Sequence, residues 1–231
     1  MKYPRTPHLP FSPGITAEDR VMSDLSASPI FQSGQELVIT EKLDGGNVTV
    51  EMGGVHARSC DSEQFPGSSW VKGVIHAPFF LGVLPKGAMS VVRIHGECLF
   101  AVHSIEYTAL ESYYYAFALS HGDSFMAWRD LELGAMPCPH VPILWKGMLS
   151  GRDYTSRLQA LEAIINDSLR DGSRLGASEA EGAVVRVSGG FPVGDFDKSV
   201  AKWVRAKHVK TGKHWRSGWQ QAKLRSEERV R

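Results

Sequence analysis

Residues 36–52 constrain the fold of this chain more than any other stretch. Glu36 to Lys42 is apolar and β-favouring through Leu37, Val38, Ile39 and Thr40. Asp44-Gly45-Gly46-Asn47 follows, and then the alternating run Val48-Thr49-Val50-Glu51-Met52. That order predicts a strand, a tight turn and a second strand. A lysine that ends an apolar strand directly before glycines sits where a ligand can approach the backbone closely. The Lys42 amine is therefore a candidate nucleophile, provided that it is neutral. Bringing an ammonium pKa from about 10.4 to near 7 takes roughly 4–5 kcal/mol, supplied by burial and neighbouring cations.

The rest of the chain extends this pattern. Strands are predicted at 91–94, 97–102, 113–119, 125–129, Ala183 to Val187 and Val200 to Val204. Ser68 or Ser69 caps a short helix through Trp70, Val74 and Ile75. Leu158, Leu161, Ile165 and Leu169 fall three or four apart, the spacing of an amphipathic helix over 154–169. The first thirty residues, rich in Pro, Ser and Asp, read as an irregular arm, and the last twenty as a basic helix. Strands that cluster, rather than alternate with helices, predict a mainly antiparallel α+β domain.

Composition narrows the class. With 231 residues, 42% hydrophobic and 22% charged, the chain buries a core as one domain or a tight pair. This excludes a disordered tail, a collagen-like rod and a coiled coil. No apolar run approaches the roughly 18 residues of a membrane helix, and Met1 to Phe11 lacks a signal-peptide core. Cys60, Cys98 and Cys138 are too few and scattered for a disulfide framework or zinc cluster. A soluble protein of a reducing, cytoplasmic compartment is expected. Residues 198–231 carry eleven Lys or Arg against two Asp or Glu, whereas residues 1–197 are acidic. A basic tail on an acidic body suggests a polyanionic partner.

Further segments add to the lysine motif. His95-Gly96-Glu97 follows the strand Val91 to Ile94, and the aromatic run Tyr113-Tyr114-Tyr115-Ala116-Phe117 comes next. Later come Glu181-Gly182-Ala183-Val184-Val185-Arg186 and Lys202-Trp203-Val204-Arg205. This ordered set resembles the covalent nucleotidyltransferase superfamily of ATP-dependent ligases and mRNA-capping enzymes, matching motifs I, III, IIIa, IV and V over residues 41–205. Val141-Pro142-Ile143-Leu144 and the run from Lys202 to Val209 are most similar to RNA ligases.

The resemblance implies an α+β, ATP-grasp-like nucleotidyltransferase domain of antiparallel sheets flanked by helices, over residues 1–211, with a basic helical tail at 212–231. It implies that Lys42 forms a lysyl-AMP, that Glu41 helps read adenine and that Asn47 reaches the metal–water shell. By the same resemblance Arg58 contacts ribose and the reacting end, Glu97 holds the ribose hydroxyls and Phe117 stacks on the base. Glu181 would bind Mg²⁺ or Mn²⁺, and Lys202 the α-phosphate. Such a set suits phosphoryl transfer, which asks mainly for alignment and charge neutralisation.

The sequence departs from the family pattern in three places. Ala118 follows Phe117 where many members have Asp. Val204 takes the second lysine place of the fifth motif, leaving Arg205 or Lys207 to supply that cation. The chain ends about thirty residues after Lys202, so no C-terminal OB-fold is expected. Lys207, Lys210, Lys213, Arg216, Lys223 and Arg225, with Trp215 and Trp219, are its candidate substitute for gripping RNA. The function implied is ATP-dependent sealing of 3′-hydroxyl and 5′-phosphate ends in RNA, at nicks or breaks. A capping guanylyltransferase and a non-catalytic RNA-binding protein are the alternatives.

Overall fold

The computed structural model describes residues 2–58, 65–76, 92–134, 136–207 and 219–225. Its strands form two antiparallel sheets. The four-stranded sheet runs β10 (Val200–Val204), β8 (Gly182–Val187), β1 (Glu36–Lys42), β7 (Ile143–Met148). The six-stranded sheet runs β3 (Gly54–Ala57), β2 (Gly46–Glu51), β4 (Val92–Cys98), β5 (Tyr114–His121), β6 (Ser124–Phe125), β9 (Phe191–Pro192). The helices are α1 (Ser68–Val71), α2 (Trp128–Leu133), α3 (Tyr154–Ser168) and α4 (Phe196–Ser199).

The continuous apolar run of β1 follows from burial on both faces. Val38 belongs to one core cluster, while Leu37 and Ile39 belong to the other. β1 is also where the sheets meet, because the turn after Lys42 leads straight into β2 of the second sheet. Gly45 makes that passage possible: a Cβ there would lie 2.6 Å from the Cys98 carbonyl oxygen. Helix α3 starts at Asp153, whose carboxylate accepts the Ser156 backbone N–H, and buries Leu161 and Ile165.

Several elements differ from the sequence expectations. Residues 99–102 of the predicted strand 97–102 lie outside any strand, and 92–98 form one continuous strand, β4. It runs through Gly96, where a Cβ would strike the Tyr114 ring at 2.4 Å. The predicted strand at 125–129 gives way to α2, whose Asp130 carboxylate accepts the Ala127 N–H. Helix α1 begins after Gly67, with no serine side chain capping it. The predicted arm does lie against the body, but as a strand-like cover. The Lys202 N–H donates to Pro7 O, Leu9 N–H to Lys202 O and Gly14 N–H to Val204 O, which closes the outer edge of β10.

The tail also differs. Residues 219–225 hold no helix; their backbone groups bond to the body instead. The Ala222 N–H donates to Phe100 O, Arg225 N–H to Leu110 O and the Tyr113 hydroxyl to Ala222 O. Ala222 is buried in the core cluster around Tyr113. The expected roles of Lys210, Lys213, Trp215 and Arg216 fall outside the described residues. No helix among the described residues is long and apolar enough to cross a membrane.

Candidate active site

A cleft of about 780 Å³ opens where the two sheets meet, and Lys42, Asn47, Arg58, Glu97, Phe117, Glu181 and Lys202 all line it. That volume lies within the usual range for a small-ligand site. Strand register brings the charged groups together. Lys42 stands opposite Gly182, so Glu181 enters the cleft beside it, and Lys202 stands opposite Val184 on the next strand. Gly182 permits the close pairing, since a Cβ would come 2.0 Å from the Trp203 carbonyl oxygen.

Lys42 Nζ lies 2.6 Å from Glu181 Oε1 and donates to Oε2 at 2.7 Å. Burial pulls the Lys42 ammonium down, but the carboxylates of Glu181, Glu97 and Asp44 outweigh it and leave the pKa above the ordinary lysine range. Among the protein's own groups the carboxylates outweigh the cations around Nζ and favour the charged lysine. Glu97 is pushed up to about 8, by burial first and then by the Glu181 and Asp44 carboxylates. Lys202 is lowered by burial and by Lys42.

Phe117 reaches the cleft through a bulge. His95 pairs with Ala118 and Gly96 with Ala116, so Phe117 is the extra residue of β5. The backbone of Ala116 pairs instead with the 139–141 segment. Phe117 O accepts from Arg186 Nη1 at 3.2 Å, and Tyr3 meets the ring edge-on at 4.8 Å. Asn47 Oδ1 is buried with no hydrogen-bond partner among the described residues, and its backbone carbonyl accepts the Arg58 N–H. An orphaned acceptor in a cleft wall is a position for a ligand donor or a metal-bound water.

Three expected site residues are placed differently. Glu41 borders the cleft, but its carboxylate accepts from the Ser173 hydroxyl at 2.5 Å and the Arg174 N–H at 2.8 Å, and its backbone N–H donates to Pro142 O. Arg205 turns its guanidinium onto Ala180 O and Glu179. Lys207 is exposed and lies outside the lining of the cleft. Neither cation reaches the cleft, so the question the sequence posed between them is not settled in favour of either.

Sequence reasoning missed Tyr3, Arg5, His103 and Arg186, which also line the cleft. Arg186 was legible from strand alternation: it lies two residues after Val184 on β8, and both line the cleft. Tyr3 and Arg5 carried no signal, because the arm has no periodicity to place it. Among the described residues no group of three or more His, Cys, Asp or Glu forms a metal cluster. Glu181 nevertheless offers an oxygen donor of the kind that Mg²⁺ or Mn²⁺ takes alongside phosphate oxygens and water.

The fold is shared with known ligases. One archaeal ATP-dependent RNA ligase structure, form 1, superposes with a TM-score of 0.51 at 13% identity, covering 88% of this chain and 48% of that one. A putative ATP-dependent DNA ligase from Aquifex aeolicus gives 0.52 at 16% identity, over 88% and 50%. Form 2 of the archaeal enzyme gives 0.50 at 13%, over 83% and 48%. The chain thus spans about half the length of these proteins. No curated protein matches the sequence. The RNA ligase family model matches residues 35–204, a stretch that includes Lys42, Glu97, Phe117, Glu181 and Lys202. The chain belongs to the RNA ligase family.

Proposed function

We propose that the protein is an ATP-dependent RNA ligase that seals 3′-hydroxyl and 5′-phosphate ends through a lysyl-AMP and an adenylated RNA. The observation that supports this most is the Lys42–Glu181 pair at the bottom of a cleft with an aromatic side chain and further cations. Glu181 would hold Mg²⁺ or Mn²⁺ together with nucleotide phosphates, and the ion would neutralise charge on those phosphates.

The chain's own residues account for the remaining work. Phe117 offers a face for adenine, worth about 1–3 kcal/mol of stacking. Glu97 receives the ribose hydroxyls, Arg58 the reacting end and Lys202 the α-phosphate. Lys42 must give up a proton before it attacks, and Glu181, already its hydrogen-bond acceptor, is placed to take it. The neutral Nζ then forms the N–P bond as the bond from the α-phosphorus to pyrophosphate breaks. AMP passes to the RNA 5′-phosphate, which frees Lys42. The 3′-hydroxyl attacks that activated phosphate, loses its proton to solvent and expels AMP.

The test is to incubate the full chain with [α-³²P]ATP or [α-³²P]GTP and a divalent ion, then look for label on denatured protein. Label from ATP, absent in Lys42→Ala, is expected. Label from GTP alone points to a capping enzyme, and label from neither to a binding protein.

A further inference from the structure

At the Lys202 end of the cleft, three side chains that can carry positive charge converge on one carboxylate oxygen. Asp19 Oδ1 lies 3.5 Å from Arg5 Nη2, 3.4 Å from His8 Nε2 and 3.8 Å from Lys202 Nζ. The other oxygen of Asp19 accepts the Thr16 hydroxyl at 2.8 Å and the Thr16 N–H at 3.1 Å. All of these groups except Lys202 come from the N-terminal arm, outside residues 35–204 and outside every motif of the sequence.

The arm is fixed where Arg5 leaves it. Tyr3 is buried against Phe117 and Phe196, and Pro7 O accepts the Lys202 N–H. Arg5 lies between these two anchors and lines the cleft, with its side chain 49% exposed. Its contact with Asp19 is a single long one. A guanidinium held this loosely keeps donors for a phosphate, whose oxygens it can engage in pairs. Neither cation expected from the fifth motif lines the cleft, whereas Arg5 does and shares the Asp19 oxygen with Lys202.

We propose that Arg5 is a phosphate-binding residue of the cleft, the partner of Lys202 supplied by the N-terminal arm. The inference rests on the nucleotide-binding reading above. Two sources carry the same chemistry, the outer phosphates of ATP and the 5′-phosphate of an RNA end, and ATP is the one expected.

The experiment measures equilibrium binding to the full chain of ATP, adenosine, and an RNA with a 5′-phosphate or a 5′-hydroxyl. Wild type is compared with Arg5→Ala and Arg5→Lys, each checked for an unchanged melting temperature. Arg5→Ala is expected to weaken ATP binding about tenfold, within the range for one charged hydrogen bond, and to leave adenosine binding unchanged. Arg5→Lys should recover part of the loss. If only the preference for 5′-phosphorylated RNA falls, Arg5 binds the RNA end, and the proposal holds with that source. Equal binding of ATP and of 5′-phosphorylated RNA by wild type and Arg5→Ala, including no binding by either, overturns it. If Arg5→Ala weakens ATP binding while wild type never becomes labelled by ATP, the ligase reading falls and the role of Arg5 stands.

Discussion

Lys42 and Glu181 hold each other in a two-point ion pair, with both carboxylate oxygens within 2.7 Å of Nζ. Because the pair favours the charged lysine, a proton has to leave Nζ before the nitrogen can attack. The rate of adduct formation should rise with pH above neutrality as the neutral fraction of Lys42 grows. Glu181→Ala should lower adduct formation by roughly a hundredfold or more, and added Mg²⁺ should restore it only in part, because phosphate oxygens still bind some metal. Single-turnover labelling against pH and Mg²⁺ checks both. An unchanged Mg²⁺ dependence in Glu181→Ala would make that residue purely structural.

Phe117→Ala should raise the ATP concentration needed for half-maximal labelling by roughly 5- to 150-fold, the equivalent of about 1–3 kcal/mol of stacking. Phe117→Tyr should stay near wild type, since it keeps the ring. Loss of labelling with no change in ATP dependence would instead point to misfolding of the bulge, which near-ultraviolet circular dichroism would reveal.

His95 gives a pH dependence that does not involve the reaction. Its ring is fully buried between the Thr49 and Ser120 hydroxyls, each 2.9 Å away. Burial, then the positive charge of Arg93, holds its pKa at about 3, against 6.5 in an exposed histidine. Between those values the unfolded chain binds a proton that the folded one refuses. Stability should be full above pH 6.5 and decline as pH falls toward 3, by up to something on the order of 4 kcal/mol. Urea unfolding midpoints at a series of pH values measure the slope. His95→Gln, which cannot titrate, should flatten it.

The tail yields the prediction that the structure changes most. Were residues 212–231 a free basic helix, truncation after Gly212 would spare adduct formation. Instead that cut removes Ala222 from the core along with the bonds from its segment to Phe100, Leu110 and Tyr113. The truncated chain should lose on the order of 3 kcal/mol of stability and much of its labelling activity. Truncation after Arg225 should leave both intact. Melting curves and ATP labelling of the two truncations separate a packed segment from a dispensable one.

Lys42, Glu97 and Glu181 were legible in the sequence because each sits at or beside a strand end with a strong local signature. Lys42 precedes two glycines, and Glu181 precedes a glycine and an alternating strand. Register then does what sequence cannot display, setting Lys42 opposite Gly182. Where residues depend on contacts distant in sequence, the reading failed. β7 was not placed, because Ile143 to Met148 stay partly open to solvent and alternate weakly. Residues 219–225 were read as part of a basic helix, while the groups that hold them, at Phe100 and Leu110, lie over a hundred residues earlier. Arg5 was invisible for the same reason. Only the pairing of the arm with β10 brings it to the cleft.

The bulge at Phe117 makes the aromatic platform a detachable part of the sheet. Ala116 and Ala118 are already opposite consecutive residues of β4, so the ladder would close without the residue between them. Losing that one codon would take away the ring and leave every paired neighbour where it stands. Gaining it would install the ring just as simply. In a sheet built this way, a lineage can acquire or discard an aromatic ring at the cleft in a single step, with no shift of register for selection to repair.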